Sequence, residues 1–210
     1  MTTSRHFIAG TISSFAVASL LVSLPPQAVA SAPAPKEIVQ TTAQTAFDIL
    51  NNSELGSKEK IEKLEQLFLS TVDYPTITRL VLGRNWRMLT EAQLEAFSDA
   101  FKRHLSTTYG RNLDNYTKLE IEVVGEREEP RGDRTIKTKI NRPNAEGVLV
   151  DYRMRNRDND WKIIDVIIEG VSMVSNFRSQ FQEVISNGGP DRLIELLKEK
   201  NDASVETSES

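Results

Sequence analysis

Histidine is the scarcest acid-base group in this chain: His6 lies near the start and His104 mid-chain. His104 follows Phe101 by three residues and precedes Leu105 by one, inside a helical pattern. There it reads as a structural or surface residue rather than a general base. A Ser-His-Asp triad would have to use it, and no serine sits in a G-x-S-x-G elbow. A lone mid-chain histidine and no cysteine provide no ligand set for zinc or other transition metals. Neither a G-x-x-x-x-G-K-[ST] loop nor a G-x-G-x-x-G turn occurs, so the common phosphate cradles are missing. Glu126, Glu128 and Glu129 cluster beside Pro130, where they read as a solvated turn. Their spacing does not favour a glycosidase pair. The expectation is a non-enzyme with no metal and no cofactor.

Cations and apolar residues carry more signal. Arg84 and Arg87 flank Trp86 just past a helix end. Guanidinium groups there could bind a phosphate headgroup. They could equally pair with carboxylates and stack on the indole, which is the commoner use. Arg153, Arg155 and Arg157 alternate, which most simply gives a solvated basic stripe or a face for an acidic partner. Ile163, Ile164, Val166, Ile167 and Ile168 make the last strand apolar on both faces. A strand with one wet face should alternate. Either helices or a barrel-like curl cover both sides, or one face lines a pocket for hydrocarbon.

These groups hang on a helical first half and a stranded second half. Val39, Ala43, Ala46, Phe47 and Leu50 form one helical stripe. Ser57 is placed to cap a second helix that buries Ile61, Leu64 and Phe68. Pro75 opens a short third helix that Gly83 ends. Thr90 and Gln93 have capping-box spacing, and Leu89 can staple onto Leu94. The helix they open turns Leu94, Phe97, Phe101, Leu105 and Tyr109 inward. Residues 118–124, 134–141, 147–156 and 161–168 read as strands joined by polar turns, so the sheet should be antiparallel. In the third strand Val148, Val150, Tyr152 and Met154 face one side, and Asp151, Arg153 and Arg155 the other. A helix with Val174, Phe177, Phe181, Val184 and Ile185 follows. Gly188-Gly189-Pro190 breaks it before a last helix with Leu193, Ile194, Leu196 and Leu197. The expected fold is α+β: helices packed on one face of a curved four-stranded antiparallel sheet.

Residues 1–30 read as a cleavable export signal. Arg5 and His6 start it, Phe7 to Leu24 is uncharged, and Ala28-Val29-Ala30 is a small-x-small cleavage site. Gly10, Thr11 and the serines at 13, 14, 19 and 23 argue against an uncleaved anchor. Cleavage leaves 180 of the 210 residues, enough for one domain with a core or a core and a cavity. Residues 31–35 read as a linker, 36–200 as the domain and 201–210 as a polar, disordered tail. The net charge is −4 and becomes −5 without Arg5, which argues against nucleic acid and against charge-driven adhesion to anionic membranes.

Two blocks carry a family resemblance. The first is Val81-Leu82-Gly83-Arg84-Asn85-Trp86-Arg87-Met88-Leu89-Thr90, preceded by Val72-Asp73-Tyr74 and running on through Gln93, Phe97, Phe101, Thr108-Tyr109 and Tyr116. The second is Asp160-Trp161-Lys162-Ile163-Ile164-Asp165-Val166-Ile167-Ile168-Glu169-Gly170-Val171-Ser172. The ordered set resembles the periplasmic lipid-carrier family of the Mla pathway, MlaC or toluene-tolerance Ttg2D. The resemblance implies a periplasmic carrier that holds a glycerophospholipid by its acyl chains in an apolar cavity. Such a carrier shuttles cargo between an outer-membrane lipoprotein complex and an inner-membrane ABC transporter with an MCE-domain subunit. A hopanoid carrier and a lipid-free interaction module are the alternatives. On this reading Leu82, Trp86, Phe97, Phe101, Tyr109, Val150, Tyr152, Ile164, Val166, Ile168, Val171, Phe177 and Phe181 line the cavity. Arg84 and Arg87 are the headgroup candidates, and the expected state is a monomer.

Overall fold

The computed structural model describes residues 33–109, 119–143 and 145–206. The side chains of 107, 109 and 204–206 lie outside that description, as do the expected export signal and Tyr116. Helix α1 (Pro35–Asn51) starts on a proline that fits its first turn and buries Val39, Phe47 and Leu50. Helix α2 (Ser57–Thr71) follows, with Gly56 rather than Ser57 at its N-cap. Helix α3 (Tyr74–Leu82) is capped by Asp73, whose carboxylate accepts from the Thr76 backbone N–H at 3.0 Å and from its hydroxyl at 2.6 Å. Gly83 ends α3 at φ +56° and opens a 3-10 segment (Gly83–Met88). A Cβ there would be strained and would also touch the Arg178 side chain.

Helix α4 (Glu91–Tyr109) begins with the expected capping box. The Gln93 N–H donates to Thr90 Oγ1 at 3.2 Å, and the Thr90 N–H to Gln93 Oε1 at 3.0 Å. Phe97 and Phe101 are fully buried on its inner face. Helix α5 (Met173–Glu206) is two arms joined at Gly189, which adopts φ 76° and ψ 178°. In the first arm Phe177 meets Phe101, and Phe181 meets Phe97. In the second, Asp191 accepts from Gln93 and the Asn201 amide donates to the Ala100 carbonyl. The first arm therefore runs antiparallel to α4 and the second parallel to it. The helix continues to Glu206, so the tail expected from Asn201 onward is helical at least that far. Asn201, only 1% exposed, anchors it.

Among the described residues the sheet has five strands in the order β1-β2-β3-β4-β5, all antiparallel and not closed. They are β1 (Glu120–Glu128), β2 (Arg134–Arg142), β3 (Ala145–Arg157), β4 (Asp160–Ile168) and β5 (Val171–Ser172). The fifth, beyond the expected four, is two residues long and hidden from periodicity. Val72 also bridges to Ile163.

Strand β4 corrects a sequence expectation. Met154 pairs with Ile163, Arg153 with Asp165, Tyr152 with Val166 and Val150 with Ile168, leaving Ile164 as an extra, bulged residue. Residues directly opposite share a face. Ile163 before the bulge and Val166 and Ile168 after it therefore lie on the face of Val150, Tyr152 and Met154. The apolar run is largely one face with a change of phase, not two apolar faces. That face joins the helices in the central core, through Ile136, Met154, Ile163, Phe97, Phe101, Phe177 and Phe181.

Two of the β3 arginines are held in ion pairs, although the Arg157 side chain stays 63% exposed. Arg155 forms a two-pronged pair with buried Asp133, at 2.8 and 2.6 Å. Arg157 reaches Asp73 at 3.2 Å and Thr76 Oγ1 at 2.8 Å, tying β3 to the start of α3. The Glu126–Glu129 run is also ordered: Arg134 pairs with Glu126 and Glu128, and Glu129 accepts from Arg127 and Thr135.

Candidate functional site

A pocket of about 380 Å³, partly open to solvent, lies between α2, α3, α4, β4 and the first arm of α5. Helix α2 contributes Ile61, Leu64, Glu65 and Phe68, and α3 adds Ile77 and Val81. Helix α4 contributes Phe101, Leu105 and Ser106; β4 gives Asp165, Val166 and Ile168; α5 gives Met173, Val174 and Phe177. The polar lining residues are Glu65, Ser106 and Asp165. Among the described residues Asp165 is engaged by Ser172 and Val174, and Glu65 faces Lys102. Among the described residues no group of three His, Asp or Glu side chains could hold a metal. The space is suited to hydrocarbon.

Helix α2 explains why the space is there. Its buried residue is Thr71; Ile61, Leu64 and Phe68 stay half-buried. A helix with such a stripe normally buries it against a core. Here the stripe faces the pocket instead, so α2 is a wall rather than a packed layer.

Four of the expected lining residues meet here: Phe101, Val166, Ile168 and Phe177. Leu82, Phe97 and Phe181 are instead buried in the adjoining core, and Trp86 and Tyr152 pack against it. Burial pushes the Tyr152 hydroxyl up to about 12. Val150 and Ile164 are buried but belong to neither pocket nor central core, and Val171 is exposed. The Tyr109 side chain lies outside the described residues. Arg84 and Arg87 stand exposed on the 3-10 segment and do not line the pocket. Helical stripes in the sequence could have added Ile61, Leu64, Phe68 and Leu105.

Asp165 had no sequence signal. It is 5% exposed, its Oδ1 accepts from the Val174 N–H at 3.0 Å, and its Oδ2 accepts from Ser172 Oγ at 2.6 Å. Ser172 Oγ in turn accepts from the Ser175 N–H at 3.0 Å. A β4 carboxylate thus caps the first turn of α5 and fixes Met173 and Val174 on the pocket wall. We expect Asp165→Ala to cost about 1–2 kcal/mol, as other lost caps do, measured by urea unfolding. An unchanged midpoint would refute the cap.

The His104 ring meets that of Phe177 edge-on, 6.3 Å away. Burial, and secondarily Lys200, hold its pKa below the ordinary 6.5; a hydrogen bond with Asn201 opposes them. A histidine depressed in the folded state contributes stability above its unfolded pKa and loses it as pH falls through the folded value. The protein should therefore lose stability on acidification below pH 6.5, and His104→Gln should flatten that part of the melting-temperature profile. An identical profile in the variant would acquit His104.

Known proteins resemble this chain in sequence and in fold. The sequence pattern of the MlaC protein family matches residues 40–199. The toluene tolerance protein ttg2D of Pseudomonas putida is 27% identical over 177 residues, 82% of each chain. The intermembrane phospholipid transport system binding protein MlaC of Haemophilus influenzae is 27% identical over 125 residues, covering 57% of this chain and 58% of its own. Among solved structures, a phospholipid-binding protein from Ralstonia solanacearum in complex with a phospholipid superposes with a TM-score of 0.68. It is 29% identical, and the match covers 79% of this chain and 98% of that one. Since the family pattern spans most of the sequence, this chain belongs to the MlaC family.

Proposed function

We propose that the protein is a periplasmic phospholipid carrier that takes acyl chains into the pocket between α2, α4 and α5. It would pass its cargo between an outer-membrane lipoprotein complex and an inner-membrane ABC transporter bearing an MCE-domain subunit. The observation that carries this reading is an apolar pocket with a half-buried helical wall, in a relative of a protein solved with a phospholipid. Each buried methylene contributes about 0.8 kcal/mol, so hydrocarbon alone can hold the cargo. The pocket's 380 Å³ is near the lower end of ligand pockets, which span roughly 300–1,000 Å³. Taking two full chains requires α2 to swing outward, and its thin packing permits that. No energy source is needed in the carrier itself.

The test is native mass spectrometry of protein expressed from the full sequence and purified without detergent. The expected result is a mass excess that solvent extraction removes, with phospholipid in the extract. A hopanoid in the extract would correct the cargo. A bare mass that persists after incubation with phospholipid vesicles would refute the carrier reading and favour a lipid-free interaction module.

A further inference from the structure

We propose that Glu65, a partly exposed lining residue at the pocket rim, and Lys102, which pairs with it from α4 just outside the lining, form a headgroup subsite. Its charges match a phosphodiester that carries a cationic amine. This rests on the carrier reading and deepens it. Three observations place the subsite. Glu65 is the lining carboxylate without a capping role, because Asp165 is taken up by Ser172 and Val174. Lys102 Nζ stands 3.7 Å from Glu65 Oε1, with side chains 38% and 35% exposed. Ser106 lines the same rim one helical turn beyond Lys102, on the same side of α4.

The distance matters. A tight ammonium–carboxylate hydrogen bond is about 2.7–2.9 Å long, so this pair is loose. Exposed pairs of this kind contribute little, so a ligand can part them at small cost. Acyl chains lying along Phe101 and Leu105 would bring the lipid's polar end to this rim. Lys102, with the Ser106 hydroxyl, can then donate to the phosphodiester, while Glu65 accepts from the amine. A headgroup with a phosphate and no amine would leave Glu65 facing an anion. The preference is thus for zwitterionic over anionic phospholipid. The exposed Arg84 and Arg87, off the pocket lining, have no such placement.

The test uses protein expressed from the full sequence, stripped of lipid and incubated with vesicles. These hold equal parts phosphatidylethanolamine and phosphatidylglycerol with identical acyl chains. Bound lipid is extracted and its headgroup ratio measured. Wild type should favour phosphatidylethanolamine. Glu65→Gln should reduce the ratio about two- to fivefold, and Glu65→Lys about tenfold, on the scale of one exposed charge interaction removed or reversed. Lys102→Glu should lower total uptake of both. The melting temperature of Glu65→Gln should stay near wild type. If both Glu65 variants load normally with an unchanged ratio, the pair only bridges two helices and the subsite is refuted. If wild type takes up neither lipid, the carrier reading itself fails.

Discussion

Val166→Asp empties the pocket while the fold stands. Val166 lines the pocket from β4 and is only half-buried, so water can hydrate an aspartate there while the pocket holds no chain. Hydrocarbon packed against it would strip that water and leave a carboxylate without a donor. The penalty is several kcal/mol, and each 1.4 kcal/mol is tenfold in affinity, so retention should fall about a thousandfold. The measurement is lipid per protein after extraction, beside a thermal melt. Ile167→Lys supplies the contrast. Its side chain points to the opposite face, with Asp151 as cross-strand partner, so lipid should be retained. Were the strand unbulged in solution, the two neighbours would exchange behaviours, and the register described for β4 would be wrong.

Phe101→Ala should be the most destabilising of these changes. Phe101 is fully buried, with ring centroids 5.6 Å from Phe97, 5.1 Å from Phe177, 5.3 Å from Phe181 and 6.3 Å from Tyr74. It joins α3, α4 and the first arm of α5, and it also lines the pocket. Phe-to-Ala changes in cores cost about 3–5 kcal/mol, a large share of the roughly 5–15 kcal/mol available to a domain. For a chain of this size that corresponds to a fall of about 10 °C in melting temperature. The lipid-free protein should show the whole loss. Cargo that fills the vacated space should return part of it, and bound ligand stabilises the wild type as well. A lipid-free variant melting within about 2 °C of wild type would show that the aromatic cluster does not hold these helices together.

Much of the architecture was legible because its signals are local. The Thr90–Gln93 box, the stop at Gly83 and the break at Gly189 each rest on backbone chemistry within a few residues, and all three stand in the structure. The antiparallel meander followed from short polar turns between neighbouring runs. The pocket was less legible because it depends on distance relations. Leu82, Phe97 and Phe181 have the same apolar character as Phe101 and Phe177. Only the packing of α3, α4 and α5 decides which rings meet the space and which meet each other. Helix α2 was read correctly as amphipathic, but nothing local says that its stripe faces a pocket rather than a core. Asp165 was hidden for a related reason: its partners are the first residues of the next helix, brought back by a two-residue strand.

The bulge at Ile164 has an evolutionary corollary. Side chains alternate along a strand, so one supernumerary residue sets the parity of everything after it. Deleting that single isoleucine would leave hydrophobicity, charge and length almost untouched. It would also leave Ile163, Asp165 and Val166 in unbroken alternation opposite Met154, Arg153 and Tyr152, so Val166 and Ile168 would keep their face. The bulge thus acts as slack in strand β4: losing one residue there closes it and leaves the pocket-facing side chains in place.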